Sequence, residues 1–294
     1  MGLSTFAQAP KQSSDALFRL WGGSAGLSGA LAAAGLTKLS AGESSGQIDW
    51  ATVACPAAIN TAQGYEMWRF SDALHTGTTS VFIKIEYGSG GAATSPALWV
   101  TVGAAHDGAG TLTGITTTRR QLPCSGNSAT ATWVSRVSAS TNRVCVFMWT
   151  DAAATTYSMF FAVERSHDAS GTDTSEGWTL LSGYGAVGNL QLVLYLVGTG
   201  VVSTETLLPA LLPSVGTGAS GSAIALYPIF PTKGVFMNPM RDVLIAFQAN
   251  LTPGTQISFT YYGSTKLYMP LNNTSTPSGV RGSVSGTCYL VRDE

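Results

Sequence analysis

The sequence has few charged residues. They make up 11% of the 294 residues, whereas an average soluble domain has about 25%. The 15 basic and 16 acidic residues leave a formal net charge of −1, and the basic ones form no stripe that could neutralise phosphates. We therefore expect no nucleic-acid partner. No polybasic segment indicates a membrane surface.

With so few charged residues, the surface of the molecule must be poor in charge. A poorly charged surface tends to associate, so the composition favours an assembled protein whose surface is covered by neighbours. Serine, threonine and glycine, which are abundant here, can also form a neutral, hydrated surface. That alternative stays open.

Cysteine and histidine are also scarce. The cysteines are far apart and form no C-x-x-C pair: Cys55, Cys124, Cys145 and Cys288. This spacing indicates neither a zinc site nor a redox motif and favours buried, small apolar side chains, with disulfides as an alternative that stays open. The histidines are dispersed and lack the close spacing of metal ligands: His75, His106 and His167. We expect no metal and no cofactor.

Motifs of catalysis are missing too. The sequence has no G-x-S-x-G elbow, no S-x-x-K and no phosphate-binding P-loop. A formal G-x-G-x-x-G runs from Gly183 to Gly188, but the strand-like NLQLVLYLV follows it where a dinucleotide fold needs a helix. A hairpin turn is the better interpretation. We expect no enzyme. A glycan-degrading carboxylate pair from distant positions stays an alternative.

Short strand-like runs fill most of the chain. They are rich in β-branched and aromatic residues and are separated by Gly, Asn, Asp and Ser clusters: 81–87, 98–103, 130–137, 143–149, 157–164, 190–197, 243–249, 257–263 and 286–292. This pattern predicts an all-β antiparallel sandwich of jelly-roll type with an extended N-terminal arm. Two hairpins are expected, one across 138–142 and one across 150–156.

The stretch SVFIKIEYGSGG, residues 80–91, shows the clearest alternation. On a strand, Val81, Ile83, Ile85 and Tyr87 point to one face, and Phe82, Lys84 and Glu86 to the other. We interpret Lys84 and Glu86 as the solvated face of a strand and not as an acid–base pair.

Differences in amino-acid composition divide the chain into three regions. Residues 1–45 are rich in Gly, Ala and Ser; 46–203 hold a main β-sandwich; 204–294 form a C-terminal β lobe or complete the same sandwich after a Pro- and Gly-rich connection at 204–222. The stretch from 20 to 36 contains five glycines, so we expect no membrane span. It is interpreted as an arm that a partner buries, with these assembly contacts: Leu20, Trp21, Leu27, Leu31 and Leu36.

Tryptophan offers another possibility. Exposed tryptophans can stack on sugar rings, and a neutral β-sandwich with surface aromatics is a plausible carbohydrate binder. Trp99, Trp133 and Trp149 lie inside strand runs and are expected to be buried. Trp178 is expected in a loop, where it could contact a ligand or an interface.

Five stretches together carry a resemblance to a known class. They are SGQIDWATV (45–53), GYEMWRFSDALHTGTTSVFIKIEYGSG (64–90), ALWVTVGAAHDGAGTLTG (97–114), FAVERSHDASGTDTSEGW (161–178) and LYPIFPTKGVFMNPMRDVLIA (226–246). With these stretches the sequence resembles virion structural proteins of tailed bacteriophages, a family of tail, neck or particle-associated proteins. The resemblance covers most of the chain after residue 45 and contains no mechanistic motif.

The resemblance implies a structural function. A protein of this class would lie in the virion, as a tail, neck or collar, baseplate or head-surface component, after assembly in the cytoplasm of the host bacterium. Its partners would be copies of itself, in a ring or trimer, and other virion proteins. The alternative within a phage is a host-surface glycan- or receptor-binding module of a fibre or tail.

Overall fold

The described secondary structure is mostly antiparallel β-strand. The structure, a computed structural model, describes residues 2–8, 14–76, 79–91, 96–117, 119–123, 133–150, 158–168, 170, 172–184, 189–196, 200–203, 226–228, 232–233, 236–237, 240–241, 243–247, 257–261, 264–270 and 287–292. The predicted all-β sandwich is confirmed. The jelly-roll topology stays a prediction.

The chain begins with a strand and three short helical segments. These are β1 (Gly2–Gln8), α1 (Asp15–Arg19), a 3-10 turn (Leu20–Gly22) and α2 (Leu27–Ala33). Ser14 caps α1 by accepting the Leu17 N–H at its side-chain oxygen. Among the described residues the longest helix has seven residues, too few to cross a membrane.

Sheet I follows in the order β2-β3-β4-β5-β6, and β7 also pairs with β5. Its strands are β2 (Thr37–Lys38), β3 (Ala62–Arg69), β4 (Phe82–Ser89), β5 (Pro96–His106), β6 (Leu112–Thr116) and β7 (Arg120–Pro123). The alternation predicted for β4 is confirmed, because Ile83, Ile85 and Tyr87 are buried in the core and Lys84 and Glu86 are only partly buried.

Phe82 lies on the predicted face of β4 but is not solvated. It shares a face with Lys84 and Glu86, yet it is buried in a second apolar cluster with Leu39 and Met67. The exposed face of β4 is therefore solvated only along part of its length.

Sheet II has seven strands in the order β1-β8-β9-β10-β11-β12-β13. Six of them are β8 (Trp133–Ser140), β9 (Arg143–Thr150), β10 (Ser158–His167), β11 (Asp173–Tyr184), β12 (Asn189–Leu196) and β13 (Gly200–Ser203). Both predicted hairpins are confirmed, β8–β9 with its turn at 141–142 and β9–β10. Strands β11 and β12 also pair as a hairpin, with Tyr184 opposite Asn189, so the G-x-G-x-x-G segment connects two strands.

The C-terminal strands form a sheet of their own, sheet III, in the order β14-β17-β20-β19-β18. The strands here are β14 (Leu226–Pro228), β15 (Thr232–Lys233), β16 (Phe236–Met237), β17 (Val243–Phe247), β18 (Ile257–Tyr261), β19 (Ser264–Pro270) and β20 (Thr287–Arg292). Strands β15 and β16 pair with each other. The predicted connection 204–222 lies outside the described residues.

Sheets I and II share one apolar core. It contains Ile83, Ile85, Val100 and Val102 from sheet I and these residues from sheet II: Val137, Val144, Val146, Met148, Phe161, Val163, Trp178 and Leu180. Side chains from two facing sheets that meet in one cluster define a sandwich. Burial of this apolar surface is the main stabilising contribution to the fold.

The N-terminal region differs from the expected arm. Trp21, Leu27, Leu31 and Leu36 are buried in the core that sheets I and II share. Leu20 alone among the five expected assembly contacts is exposed, at 49%. The expectation that a partner buries these residues was wrong. The many Gly and Ala residues obscured a helical spacing of apolar residues, in which Leu27, Ala30, Leu31 and Ala34 lie on one face.

A buried carboxylate fastens this region to the sandwich. Glu66 in β3 is completely buried, and its Oε1 accepts hydrogen bonds from Ser28 Oγ at 2.7 Å, Lys38 Nζ at 2.6 Å and Trp50 Nε1 at 2.9 Å. Its Oε2 accepts the Tyr87 hydroxyl at 2.7 Å. Burial, together with the Glu66 charge, raises the pKa of Tyr87 well above its usual range.

Two leucines of the N-terminal region provide a matched test of this packing. Leu31→Ala should lower the free energy of unfolding by about 2–5 kcal/mol, because it leaves a cavity in the shared core. Leu20→Ala should change it by less than about 0.5 kcal/mol, because that side chain is exposed. Urea unfolding followed by tryptophan fluorescence measures both. Equal, small effects would contradict the observed burial.

Candidate functional site

Several loops meet at one end of the sandwich, which we call the loop end. It comprises the described parts of the β3–β4 connection (70–81), the β5–β6 turn (107–111), the β8–β9 turn (141–142) and the β10–β11 turn (168–172). The Ser71 N–H donates to the Thr141 carbonyl at 2.7 Å and so joins a loop of sheet I to a turn of sheet II.

A buried arginine makes three polar contacts at the loop end. Arg165, at the end of β10, is 1% exposed and binds the Asp72 carboxylate through Nε at 2.5 Å and Nη2 at 2.9 Å. Its Nη1 donates to the Thr79 carbonyl at 2.7 Å. This bidentate pair joins sheet II to the β3–β4 connection, and a carboxylate and an arginine in such a geometry bind strongly.

A second arginine brings the C-terminal region to the same end. Arg241 donates from its main-chain N–H and from Nε to the buried Glu164 carboxylate, and Nη2 reaches Asp173 at 2.8 Å. The Tyr268 hydroxyl of β19 donates to the Arg241 carbonyl at 2.8 Å. Through Arg241, residues from sheet III contact sheet II.

The three histidines, dispersed in the sequence, all lie at the loop end. The rings of His75 and His106 both contact the Phe82 ring edge-on, with centroids 5.3 and 4.6 Å away. His106 Nδ1 accepts the Gly108 N–H, and His167 Nδ1 lies 3.0 Å from the Asp168 carbonyl oxygen. Across the described residues no group of His, Cys, Asp and Glu is arranged to hold a metal ion.

Two aspartates organise the hairpin turns. The Asp107 carboxylate accepts the N–H groups of Ala109 and Thr111, and the Asp168 carboxylate accepts those of Ser170 and Thr172. These hydrogen bonds lower the pKa of Asp107, mainly through Thr111, and the pKa of Asp168, where the Ser170 side chain contributes most. Both carboxylates therefore act as caps of their turns.

These contacts join the β3–β4 connection to the β8–β9 turn and to the end of β10, and each of the two aspartate-capped turns is held by its own hydrogen bonds. The buried carboxylates and guanidinium groups neutralise each other, so the arrangement supports rigidity more than proton transfer. Loops held by a rigid scaffold at one end of a sandwich are a common location for contacts with other molecules. The loop end is therefore the candidate functional surface.

Trp178, the expected contact residue, lies elsewhere. It belongs to β11, not to a loop, and is 1% exposed in the shared core. It cannot stack on a sugar from there. Of the other tryptophans whose burial the structure describes, Trp21, Trp68 and Trp99 are buried and Trp50 donates to Glu66.

The sequence contained one overlooked signal for this cluster. Strand β10 reads SMFFAVERSH, and the neighbouring Glu164 and Arg165 interrupt an apolar run on both faces at once. Adjacent charges inside a buried strand require partners. Asp72 and Arg241, which supply them, are 93 and 77 residues away from their partners in sequence.

No protein-family model matches the chain, and neither a curated protein nor a solved structure matches it significantly. The assignment of a role therefore depends on the residues and their geometry.

The Arg165–Asp72 pair yields a stability prediction. Asp72→Asn should lower the free energy of unfolding by about 3–5 kcal/mol, because it leaves a buried guanidinium without a counter-ion. The control is Glu86→Gln, whose partner Arg119 is 47% exposed, and it should cost less than about 1 kcal/mol. Urea unfolding at pH 7 measures both. Losses of similar size would show that the Arg165 pair is not buried as described.

His75 yields a pH prediction. Burial, with help from Arg69 and Arg165 and against Asp72 and Glu43, lowers the pKa of His75 below its usual range. Above about pH 6.5 the residue is neutral in both states; below it the unfolded chain binds the proton more readily, so His75 costs stability as the pH falls. When the pH is lowered from 7.5 to 5, the free energy of unfolding of the wild type should therefore fall more than that of His75→Gln. A constant difference between the two proteins would contradict this.

Proposed function

We propose that the chain is a structural component of a tailed bacteriophage particle, a tail, neck or collar, baseplate or head-surface protein. It would act through protein–protein interfaces with copies of itself and with other virion proteins. In this proposal the protein is assembled in the cytoplasm of the host bacterium and resides in the virion. The proposal is for a building block and not for an enzyme.

The observation that carries the proposal is that the chain has few charged residues and buries some of them. The chain has 31 charged residues, 15 basic and 16 acidic, and it uses several of them inside: Glu66, Glu164 and Arg165 are each at most 1% exposed. Internal pairing makes the surface even poorer in charge than the composition suggests. A neutral surface loses little hydration energy when a neighbour covers it, which favours assembly.

The assignment to a tailed phage particle depends on the resemblance of the sequence to virion structural proteins of tailed phages. The stretches that carry the resemblance contain the residues that build the loop end, among them Asp72, His106, Arg165 and Arg241. In this proposal the loop end is a rigid contact surface for a neighbouring particle component.

The first strand is the best candidate for a docking element. Residues 14–39 contribute to the core of their own chain, so they are not free to serve as an arm. In contrast, β1 lies at an edge of sheet II, where β8 is its one partner among the described strands. Its partner strand begins at Trp133, far along the chain. An edge strand whose partner is distant in sequence can be exchanged between copies at low cost, because each copy offers the same acceptor edge.

Engineered cysteines test this exchange. Thr5 lies opposite Arg136 in the β1–β8 pair, whereas Gly2 lies opposite Ala139. If strands are exchanged, co-refolded Thr5→Cys and Arg136→Cys chains should form a disulfide-linked dimer on a non-reducing gel. The control mixture of Gly2→Cys and Arg136→Cys should not. Cross-linking only within single chains of the Thr5→Cys/Arg136→Cys double variant, in an oligomeric protein, would contradict the exchange.

The location in the particle has a direct test as well. Antibodies raised against the purified protein should label intact tailed particles at one position in electron micrographs. Labelling of host debris alone, with unlabelled particles, would contradict the proposed function.

The glycan-binding alternative loses the residue that motivated it, because Trp178 is buried. A glycan array separates the two functions: specific retention of host polysaccharide would favour a binding module of a fibre or tail. A structural component should show no such retention.

A further inference from the structure

We infer that sheets I and II contain two copies of one structural unit, related by a shift of 61 residues along the chain. The unit consists of two strands, a turn and the start of a third strand. In the first copy it is β4, β5 and the beginning of β6; in the second it is β9, β10 and the beginning of β11. The inference goes beyond the proposed function, because it concerns how the chain itself is constructed.

The strand bounds give the first argument. Strand β4 covers Phe82–Ser89 and β9 covers Arg143–Thr150, so both have eight residues and start 61 positions apart. Strand β5 ends at His106 and β10 at His167, again 61 positions apart.

The pairing register is the stronger argument. Phe82 lies opposite Gly103 in the first copy, and Arg143 lies opposite Glu164 in the second, with both partners displaced by 61. The next hairpin repeats this, because His106 faces Leu112 and His167 faces Asp173. A slip of one residue in either pair would turn every side chain to the other face, so agreement in two successive pairs is specific.

The turns agree in sequence and in hydrogen bonding. They read His-Asp-Gly-Ala-Gly-Thr at 106–111 and His-Asp-Ala-Ser-Gly-Thr at 167–172. In each turn the aspartate N–H donates to the threonine carbonyl, at 3.0 and 2.8 Å. In each, the aspartate carboxylate accepts the threonine N–H at 2.9 Å and the N–H two residues after the aspartate, at 2.7 and 2.8 Å.

The buried face agrees as well. The residues that enter the shared core are displaced by 61 throughout: Ile83 and Val144, Ile85 and Val146, Tyr87 and Met148, Leu98 and Met159, Val100 and Phe161, Val102 and Val163. The opposite faces have diverged. Lys84 and Glu86 of the first copy correspond to Cys145 and Phe147, both fully buried, in the second.

Equivalent turns should be interchangeable, and this can be tested in the full chain. Ala169→Gly with Ser170→Ala gives the second turn the sequence of the first. We expect its melting temperature to stay within about 2 °C of wild type, with the Thr172 amide still protected in hydrogen exchange. Asp168→Ala, which removes the acceptor of the turn, is the control and should lower the melting temperature and expose that amide.

Two results would overturn the inference. One is a melting temperature that falls as far in the transplanted turn as in Asp168→Ala, because the two turns would then not be equivalent. The other is an unchanged melting temperature in Asp168→Ala, because the shared aspartate would then have no structural role in the turn.

Discussion

The carboxylate of Glu66 is the interaction on which the N-terminal half depends. Four donors from different parts of the chain converge on one buried group: a serine of α2, a lysine of β2, the Trp50 indole and the Tyr87 hydroxyl. A buried charge of this kind is tolerated only when its partners are in place. The carboxylate therefore positions the helical segment over the sandwich, and the apolar side chains of that segment complete the core.

At the loop end, too, a buried charged group is held by partners from distant parts of the chain, but here the group is positively charged. There the buried charge is the Arg165 guanidinium, and its partner Asp72 comes from the β3–β4 connection of sheet I. Arg241 adds the C-terminal region through Glu164 and Asp173. Part of the charge that is rare in the sequence is thus used to fix elements to one another, and less of it is left at the surface. This links the internal packing to the proposed role in an assembly.

Sequence patterns predicted the strands well and the distant contacts poorly. The alternation in β4, the two hairpins and the turn after β11 were predictable because they depend on neighbours in sequence. The burial of Leu27 and Leu31 was not predictable, because the apolar periodicity of a Gly- and Ala-rich helix is too weak to indicate what covers the helix. Trp178 was assigned to a loop because the Thr- and Ser-rich start of β11 resembles a turn. The pairing of Arg165 with Asp72 depends on the tertiary fold, which no local pattern encodes.

The central proposal is that a surface poor in charge is covered by other subunits. The molar mass of the purified full-length chain, from light scattering behind a sizing column, tests it most directly. The account predicts a discrete multiple of 30.4 kDa, such as three, six or twelve copies in a closed assembly. A monomer of 30.4 kDa that persists as the protein concentration is raised would contradict it.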